Sequence, residues 1–270
     1  KADGAPRAFG EAVFGGESIG VPGLARMLAM AHERHGKLAW AKLFEPALKI
    51  ADDGFAVSAR LNKSLKDLGA NNFDAVARAF YFDAVGAPHP VGYVLKNPEF
   101  AKTLRDLAGN GANSFYLGPI ASAVAAAAAN APNHKGDLTA DDIRVYAAKE
   151  RPPVCVTYRR HNVCGMGPPS SGALTVGMTL KLLEPFDLGA VPLNPKALHL
   201  IAEAEKLAYA DRDRYIADSD AVRVPEKGLI DPKYLDERRK WIDADKAKGK
   251  AEAGAAFGDE AEGWLRWCFA

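Results

Sequence analysis

Cysteine is scarce in this 270-residue chain: Cys155, Cys164 and Cys268 are the whole complement. Three scattered cysteines cannot build a disulfide framework. Cys155 and Cys164 flank an expected turn and could face each other on paired strands. The expectation for both is a free core thiol, because cysteine usually behaves as a small hydrophobe. An excess of one charge is missing as well. A net charge of +1 gives no electrostatic reason to expect nucleic acid or an anionic membrane as partner. No apolar run approaches the roughly 18 residues needed to span a bilayer. No secretory leader is visible, and the opening KADGAPRAFG reads more like the interior of a longer protein than its start. P-loop, dinucleotide and kinase signatures are absent, so no cofactor is expected.

What is present is an ordinary globular balance, 48% hydrophobic and 26% charged. That length supports one sizeable core or two modest ones. The organising stretch runs from Glu150 to Glu184. Val154, Val156 and Tyr158 alternate along one strand, Arg159 to Asn162 turn the chain, and a second strand follows. Pro168 and Pro169 end the ladder. Ser170 or Ser171 then caps a helix carrying Leu174, Met178 and Leu182.

Helices dominate the rest. Leu24, Leu28 and Ala31 mark an apolar stripe that Gly36 stops. A helix from Pro46 to Gly54 turns Ala47, Leu48 and Ala51 inward. Residues 57–68 read as helical, and 71–93 as rich in turns. Asn97-Pro98 starts a helix with Leu104 and Leu107 buried, and a single helix is expected from about Ser114 to Asn130. Thr139-x-x-Asp142 resembles a capping box. The longest helix spans Pro195 to Ile216, with a stripe of Leu198, Ile201, Ala208 and Tyr215 that also carries Glu205 and Arg212. Buried charges need partners, so those two are expected to pair in a core or to border a polar cleft. Asp231-Pro232 starts a last helix through Leu235 to Ile242. Residues 244–263 are low in complexity and are expected to form a mobile tail or linker. The apolar ending WLRWCFA has no reading.

Candidate chemistry is thin. Gly16-Glu17-Ser18-Ile19-Gly20 fits G-x-S-x-G, the serine nucleophile elbow. An elbow needs several strands beneath it, and only 17 residues precede Ser18, so a structural turn is the stronger reading. Ser170-Ser171-Gly172 suits either an anion or plain capping. His32, His35, His161 and His199 have no third ligand at metal spacing, and His32 and His35 are expected to be solvated. No metal site is expected. From the residues alone the fold class is a soluble, helix-rich α+β domain.

Seven stretches in order resemble the large subunit of γ-glutamyltranspeptidases, members of the N-terminal-nucleophile hydrolase superfamily. They are GGESIGVPG, HGKLAWAKLFEPALKIADDGF, FYLGPIA, GDLTADDIRVY, GMGPPSSGALTVGMTLKLLEPFDL, AEAEKLAYADRDRYIAD and VPEKGLIDPKYLDERRKWI. One departure is Ala173, where the family usually has glycine. The resemblance implies a large-subunit portion over residues 1–243 followed by a tail over 244–270. It implies the large-subunit part of an αββα sandwich. It also implies a precursor that cuts itself before a threonine, whose freed amine activates its own hydroxyl to take up a γ-glutamyl group from glutathione or a related amide. The implied partner is a small subunit carrying that threonine, and the implied location is periplasmic or secreted. No Thr-Thr-His-type motif follows Thr179. Aligning Ala5-Pro6 with the end of the family's Arg-Glu-x-Ala-Pro motif puts Ala2 at the arginine, with Arg7 out of register. No catalytic residue is therefore expected in this chain, and its substrate-binding residues are unknown. A truncated, non-catalytic homologue and a serine hydrolase using Ser18 are the alternatives.

Overall fold

The computed structural model describes residues 8–131, 134–191 and 193–256. The chain divides into two compact units, Lys1–Lys149 and Glu150–Ala270.

The first unit is built from short helices. α1 (Phe9–Val13) leads through a 3-10 turn at Gly16–Ser18 to α2 (Leu24–His35), which Gly36 ends as expected. The stripe read from the sequence does not face a core: Leu24 is 64% exposed and Leu28 47%. The half-buried side is a quarter-turn away, at Ala25, Arg26, Ala29 and Met30. Periodicity shows that a helix has an apolar face, and neighbours decide which face is covered. A 3-10 turn at Trp40–Phe44 precedes α3 (Glu45–Asp53). Ala51 is buried and Leu48 half-buried in α3, whereas Ala47 is exposed. β1 (Phe55–Ala56) pairs antiparallel with β2 (Val94–Leu95). Between them lie α4 (Ala59–Leu68), capped by Ser58, and α5 (Ala75–Tyr81), capped by Asp74. The turn-rich reading of 71–93 missed α5, because an isolated two-turn helix leaves little periodic signal.

α6 (Pro98–Asn110) starts at an Asn97 cap and buries Ala101, Leu104 and Leu107. Ala101 and Leu104 pack with Ala51, Phe44 and Leu48. The single helix expected over 114–130 is two, α7 (Asn113–Tyr116) and α8 (Pro119–Ala129). Gly118-Pro119 breaks it, since proline removes a helical N–H and clashes with the preceding turn. α9 (Ala140–Val145) has the full capping box, with Thr139 and Asp142 exchanging both bonds. Asp142 is held below the usual carboxylate range by the hydroxyl and N–H of Thr139.

The second unit is centred on the stretch that the sequence marked. β3 (Val154–Tyr158) and β4 (His161–Gly165) form a hairpin that sets Cys155 opposite Cys164, with a turn tighter than the expected Arg159 to Asn162 because His161 and Asn162 already pair in β4. Its two-residue turn places Arg159 at φ 53°, in the left-handed region favoured at such a turn. Val156 is buried while Cys155 and Cys164 point outward, and the two cysteines form a disulfide. The free core thiols expected there are thus a bonded pair on an exposed face. Strand alternation sends Cys155 to the side opposite Val156, and antiparallel pairing sets Cys164 directly across from it.

α10 (Gly172–Leu183) packs on β3 and on α11 (Pro195–Tyr215). A Cβ on Gly177 would lie 3.0 Å from Val156, so glycine sets how closely α10 approaches the sheet. Ala173 sits against Gly165, whose missing side chain leaves room for the alanine methyl. The core joins Leu174, Met178, Leu182, Leu200, Leu207, Leu229 and Leu235. α12 (Glu226–Leu229) and α13 (Pro232–Arg239) close the unit, the latter capped by Asp231.

α11 turns only part of its expected stripe inward: Ala208 is buried, Ile201 and Tyr215 are half-buried, and Leu198 is 48% exposed. Glu205 and Arg212 are exposed, and the buried charges are Glu203 and Asp211, each 1% exposed. The helix carries apolar residues on two overlapping stripes, and the one through Ala197, Leu200, Ala204 and Leu207 meets the core. Glu203 accepts from Lys206 Nζ at 2.5 Å and from the Lys248 N–H at 3.3 Å. Asp211 accepts from Arg238 Nε at 3.1 Å and from the Gly254 N–H at 2.8 Å. Residues 244–256, expected to be mobile, are therefore laced to α11. Arg238 also donates to Glu252 O, and Tyr215 to Gly254 O. Composition alone suggested a loose segment because it counts side chains, whereas these bonds use the segment's backbone. WLRWCFA lies outside the described residues.

Candidate functional site

The glycine-rich loop Gly15–Gly23 enters the first unit where backbones touch. A Cβ on Gly16 would stand 2.3 Å from Ala128 O, and one on Gly136 2.3 Å from Gly16 O. Contacts that close exclude any side chain, which is a structural reason for the glycines. Ser18 lies in the 3-10 turn, and its hydroxyl donates to Gly15 O at 2.9 Å, with Val13 O at 3.4 Å. An elbow serine sits between a strand and a helix with its hydroxyl presented to a base. Among the described residues no strand precedes Ser18, and its proton is committed to carbonyl oxygens.

The Pro-Pro-Ser-Ser corner joins β4 to α10 through a cis Pro168-Pro169 bond. Neither serine caps the helix in the expected way. Ser171 stands at the cap position without a bond to the N–H groups of the first turn. The Gly172 N–H approaches Ser170 Oγ at 3.4 Å, and Arg212 Nε donates to Ser171 Oγ at 3.3 Å. Arg212 also pairs with Asp213 at 2.7 Å. The two residues singled out separately in the sequence, Ser171 and Arg212, thus meet at one corner, and Glu205 stays apart on the exposed side. Nearby, Ser219 Oγ reaches Pro168 O at 3.5 Å, and Arg151 pairs with Asp220 at 2.7 Å. The Asp220 hydrogen bond raises the Arg151 pKa, so this cation stays charged. The corner is a polar joint of hydroxyls, two guanidinium groups and helix N–H groups, with no general base bonded to a hydroxyl among the described residues.

The histidines do not converge. His32 Nε2 donates to Leu38 O at 2.8 Å and packs edge-on to Trp40, so it is held rather than solvated. His199 Nε2 lies 2.8 Å from Asp243 O. His35 and His161 are exposed. Among the described residues no group of three His, Cys, Asp or Glu side chains could hold a metal ion.

Sequence reading passed over Arg26 and Tyr116. Tyr116 is fully buried, donates to Pro22 O at 2.8 Å and accepts from the Arg26 N–H at 3.0 Å. The Arg26 guanidinium lies 4.2 Å from the Tyr116 ring centroid. Burial pushes the phenol up, partly offset by Arg26. The signal that could have found Arg26 was its place on the half-buried side of α2, which the Leu24 stripe concealed.

Comparison with known proteins follows the same outline. The family model for gamma-glutamyltranspeptidase matches residues 1–263. The chain belongs to the γ-glutamyltranspeptidase family, and its helix-rich fold is that of the family's large subunit. The glutathione hydrolase proenzyme of Escherichia coli K12 is 35% identical over 237 residues, covering 86% of this chain and 40% of that protein. The acylase ACY 1 proenzyme of Pseudomonas sp. strain V22 is 33% identical over 254 residues, 93% of this chain and 45% of that protein. The chain thus spans less than half the length of these relatives. In the crystal structure of Helicobacter pylori γ-glutamyltranspeptidase the similar region has a TM-score of 0.80 at 29% identity. It covers 92% of this chain and 71% of that one. Among the described residues no helix is long and apolar enough to cross a membrane.

Proposed function

We propose that residues 1–243 are the large-subunit portion of an enzyme that transfers or hydrolyses γ-glutamyl groups from glutathione or related amides. The strap at 244–256 completes its second unit. The observation that carries this reading is a TM-score of 0.80 over 92% of the chain, from a chain that spans 40% of a glutathione hydrolase proenzyme. A threonine-led small subunit supplies the nucleophile, and the threonine's own amine acts as its base. The threonine hydroxyl attacks the γ-glutamyl amide carbonyl, the C–N bond breaks and the amine leaves with the proton taken from the hydroxyl, giving an ester that water or an acceptor amine then cleaves. Backbone N–H groups stabilise the oxyanion formed in each step. This chain contributes walls and position; we assign it no catalytic residue. The enzyme works in the periplasm or after secretion, and the exposed Cys155–Cys164 disulfide fits an oxidising compartment. Similarity to an acylase widens the amide class that the assembled pocket would accept.

The test is an assay with a chromogenic γ-glutamyl anilide. The isolated chain gives no turnover, and co-expression with a threonine-led small subunit of the same family restores it. Robust turnover by the isolated chain would refute the scaffold role. A fluorophosphonate label on Ser18 would instead establish the serine-hydrolase alternative, which the bonding of its hydroxyl argues against.

A further inference from the structure

One cleft of the first unit is lined by an arginine with unmet donors. It has a volume of about 390 Å³ and lies between α2, the turn joining α6 to α7, and the segment after α9. Arg26 and Glu33 line it from α2, with Asn110 and Asn113 opposite and Ala29, Met30, Ala112, Ala147 and Ala148 supplying apolar wall. That size suits a small ligand.

The Arg26 guanidinium is seated over the Tyr116 ring, yet its Nε and Nη2 are buried with no hydrogen-bond partner among the described residues. These two nitrogens form one edge of the guanidinium, the edge that grips a carboxylate with two parallel bonds. Buried donors are rarely left without an acceptor, and a charged donor less often still. Stacking on Tyr116 holds the cation in place but supplies no acceptor in the guanidinium plane. A carboxylate offers that edge two acceptors at once.

Glu33 makes the cleft more selective. It stands seven residues beyond Arg26 on the same helix, an axial rise of about 10 Å. A simple anion would gain Arg26 and be repelled by Glu33. A ligand with a carboxylate at one end and an ammonium at the other satisfies both. Extended peptide spans about 3.3–3.6 Å per residue, so a tripeptide separates its termini by about 10 Å. Asn113 offers an amide group to the peptide bonds between, and Asn110, whose Nδ2 donates to Asp106 at 2.6 Å, offers its amide oxygen.

We propose that this cleft binds a short zwitterionic peptide, its carboxylate on Arg26 and its ammonium on Glu33. Binding requires the Arg26 side chain to turn toward the cleft that it lines, because this edge is shielded in the structure. This site does not rest on the acyl-transfer reading, since it calls only for binding.

Trialanine is the probe, titrated into the full chain and followed by heteronuclear NMR that includes arginine Nε–H signals. The signal that Arg26→Met removes belongs to Arg26. It should move downfield and saturate with trialanine. Trialanine amide should bind at least about tenfold more weakly, as loss of a charge-assisted hydrogen bond at a shielded edge requires, and N-acetyl-trialanine about three- to fivefold more weakly, because Glu33 is exposed. Glu33→Gln should weaken trialanine to a similar degree and leave N-acetyl-trialanine unchanged. Glu33 is exposed, so this variant keeps its fold and decides the matter even if Arg26→Met does not fold. No saturable shift with trialanine would overturn the proposal. So would blocked peptides that bind within about twofold of the free one.

Discussion

Replacing Asp211 by alanine should loosen the second unit at a buried charge. The Asp211 side chain is 2% exposed, and that of its partner Arg238 is 12%. Removing the carboxylate leaves Arg238 with only the carbonyls of Leu207 and Glu252, and strips the Gly254 N–H of its acceptor. Breaking one side of a buried pair costs about 3–5 kcal/mol, because the remaining charge is left uncompensated away from water. For a unit of this size each kcal/mol shifts the melting temperature by about 3–5 °C, so a fall of about 10–20 °C is expected. Asp213→Ala is the matched control. Its carboxylate is 68% exposed and pairs with Arg212 at the surface, where such pairs contribute about 0–1 kcal/mol. Thermal unfolding followed by circular dichroism measures both variants. Limited trypsin digestion adds a local readout, since Lys246, Lys248 and Lys250 lie on the strap that Asp211 retains. The Asp211→Ala protein should be cut there first. Equal melting shifts for the two variants, with unchanged cleavage, would refute the reasoning. Asp211→Leu combined with Arg238→Met should recover a good part of the loss, because no buried charge then remains unpaired.

Other expectations follow from the same geometry. Burial alone would raise the Glu203 carboxyl, but its bonds from Lys206 and Lys248 and the nearby charges hold it below the usual range. A depressed carboxylate stabilises the fold above its unfolded pKa of about 4.3, and that stability is lost as pH falls through the lower folded value. Glu203→Gln should therefore flatten the acid limb of a stability–pH curve below about pH 4.5; an unchanged slope would contradict this. Mutating Cys155 and Cys164 to serine should cost about 2–3 kcal/mol, as expected for a loop closed between cysteines nine positions apart. Alkylation of both cysteines without reductant, read by intact mass, would show the bond absent. Gly177→Val should destabilise by about 1–3 kcal/mol in urea unfolding, since its side chain enters space held by Val156. A neutral result would mean that α10 can shift from the sheet.

Local chemistry was the legible part of this protein. Asn97 and Asp231 cap helices, the Thr139 box closes, and the β3–β4 hairpin forms, because each depends on residues within a few positions of one another. The family was legible too, since seven ordered stretches survive without knowledge of their contacts. Tertiary structure alone decided the rest. It chose Glu203 and Asp211 over Glu205 and Arg212 as the buried charges, put the cysteines on an open face as a bonded pair, and tied down a segment whose composition suggested freedom. It also covered the Arg26 side of α2 and left the Leu24 side bare. Apart from the cysteines, nine positions apart on one hairpin, the physical reason is common. A helix or strand advertises its faces through its own period, but burial is a property of what packs against it. Those partners lie tens of residues away, where no local pattern reaches.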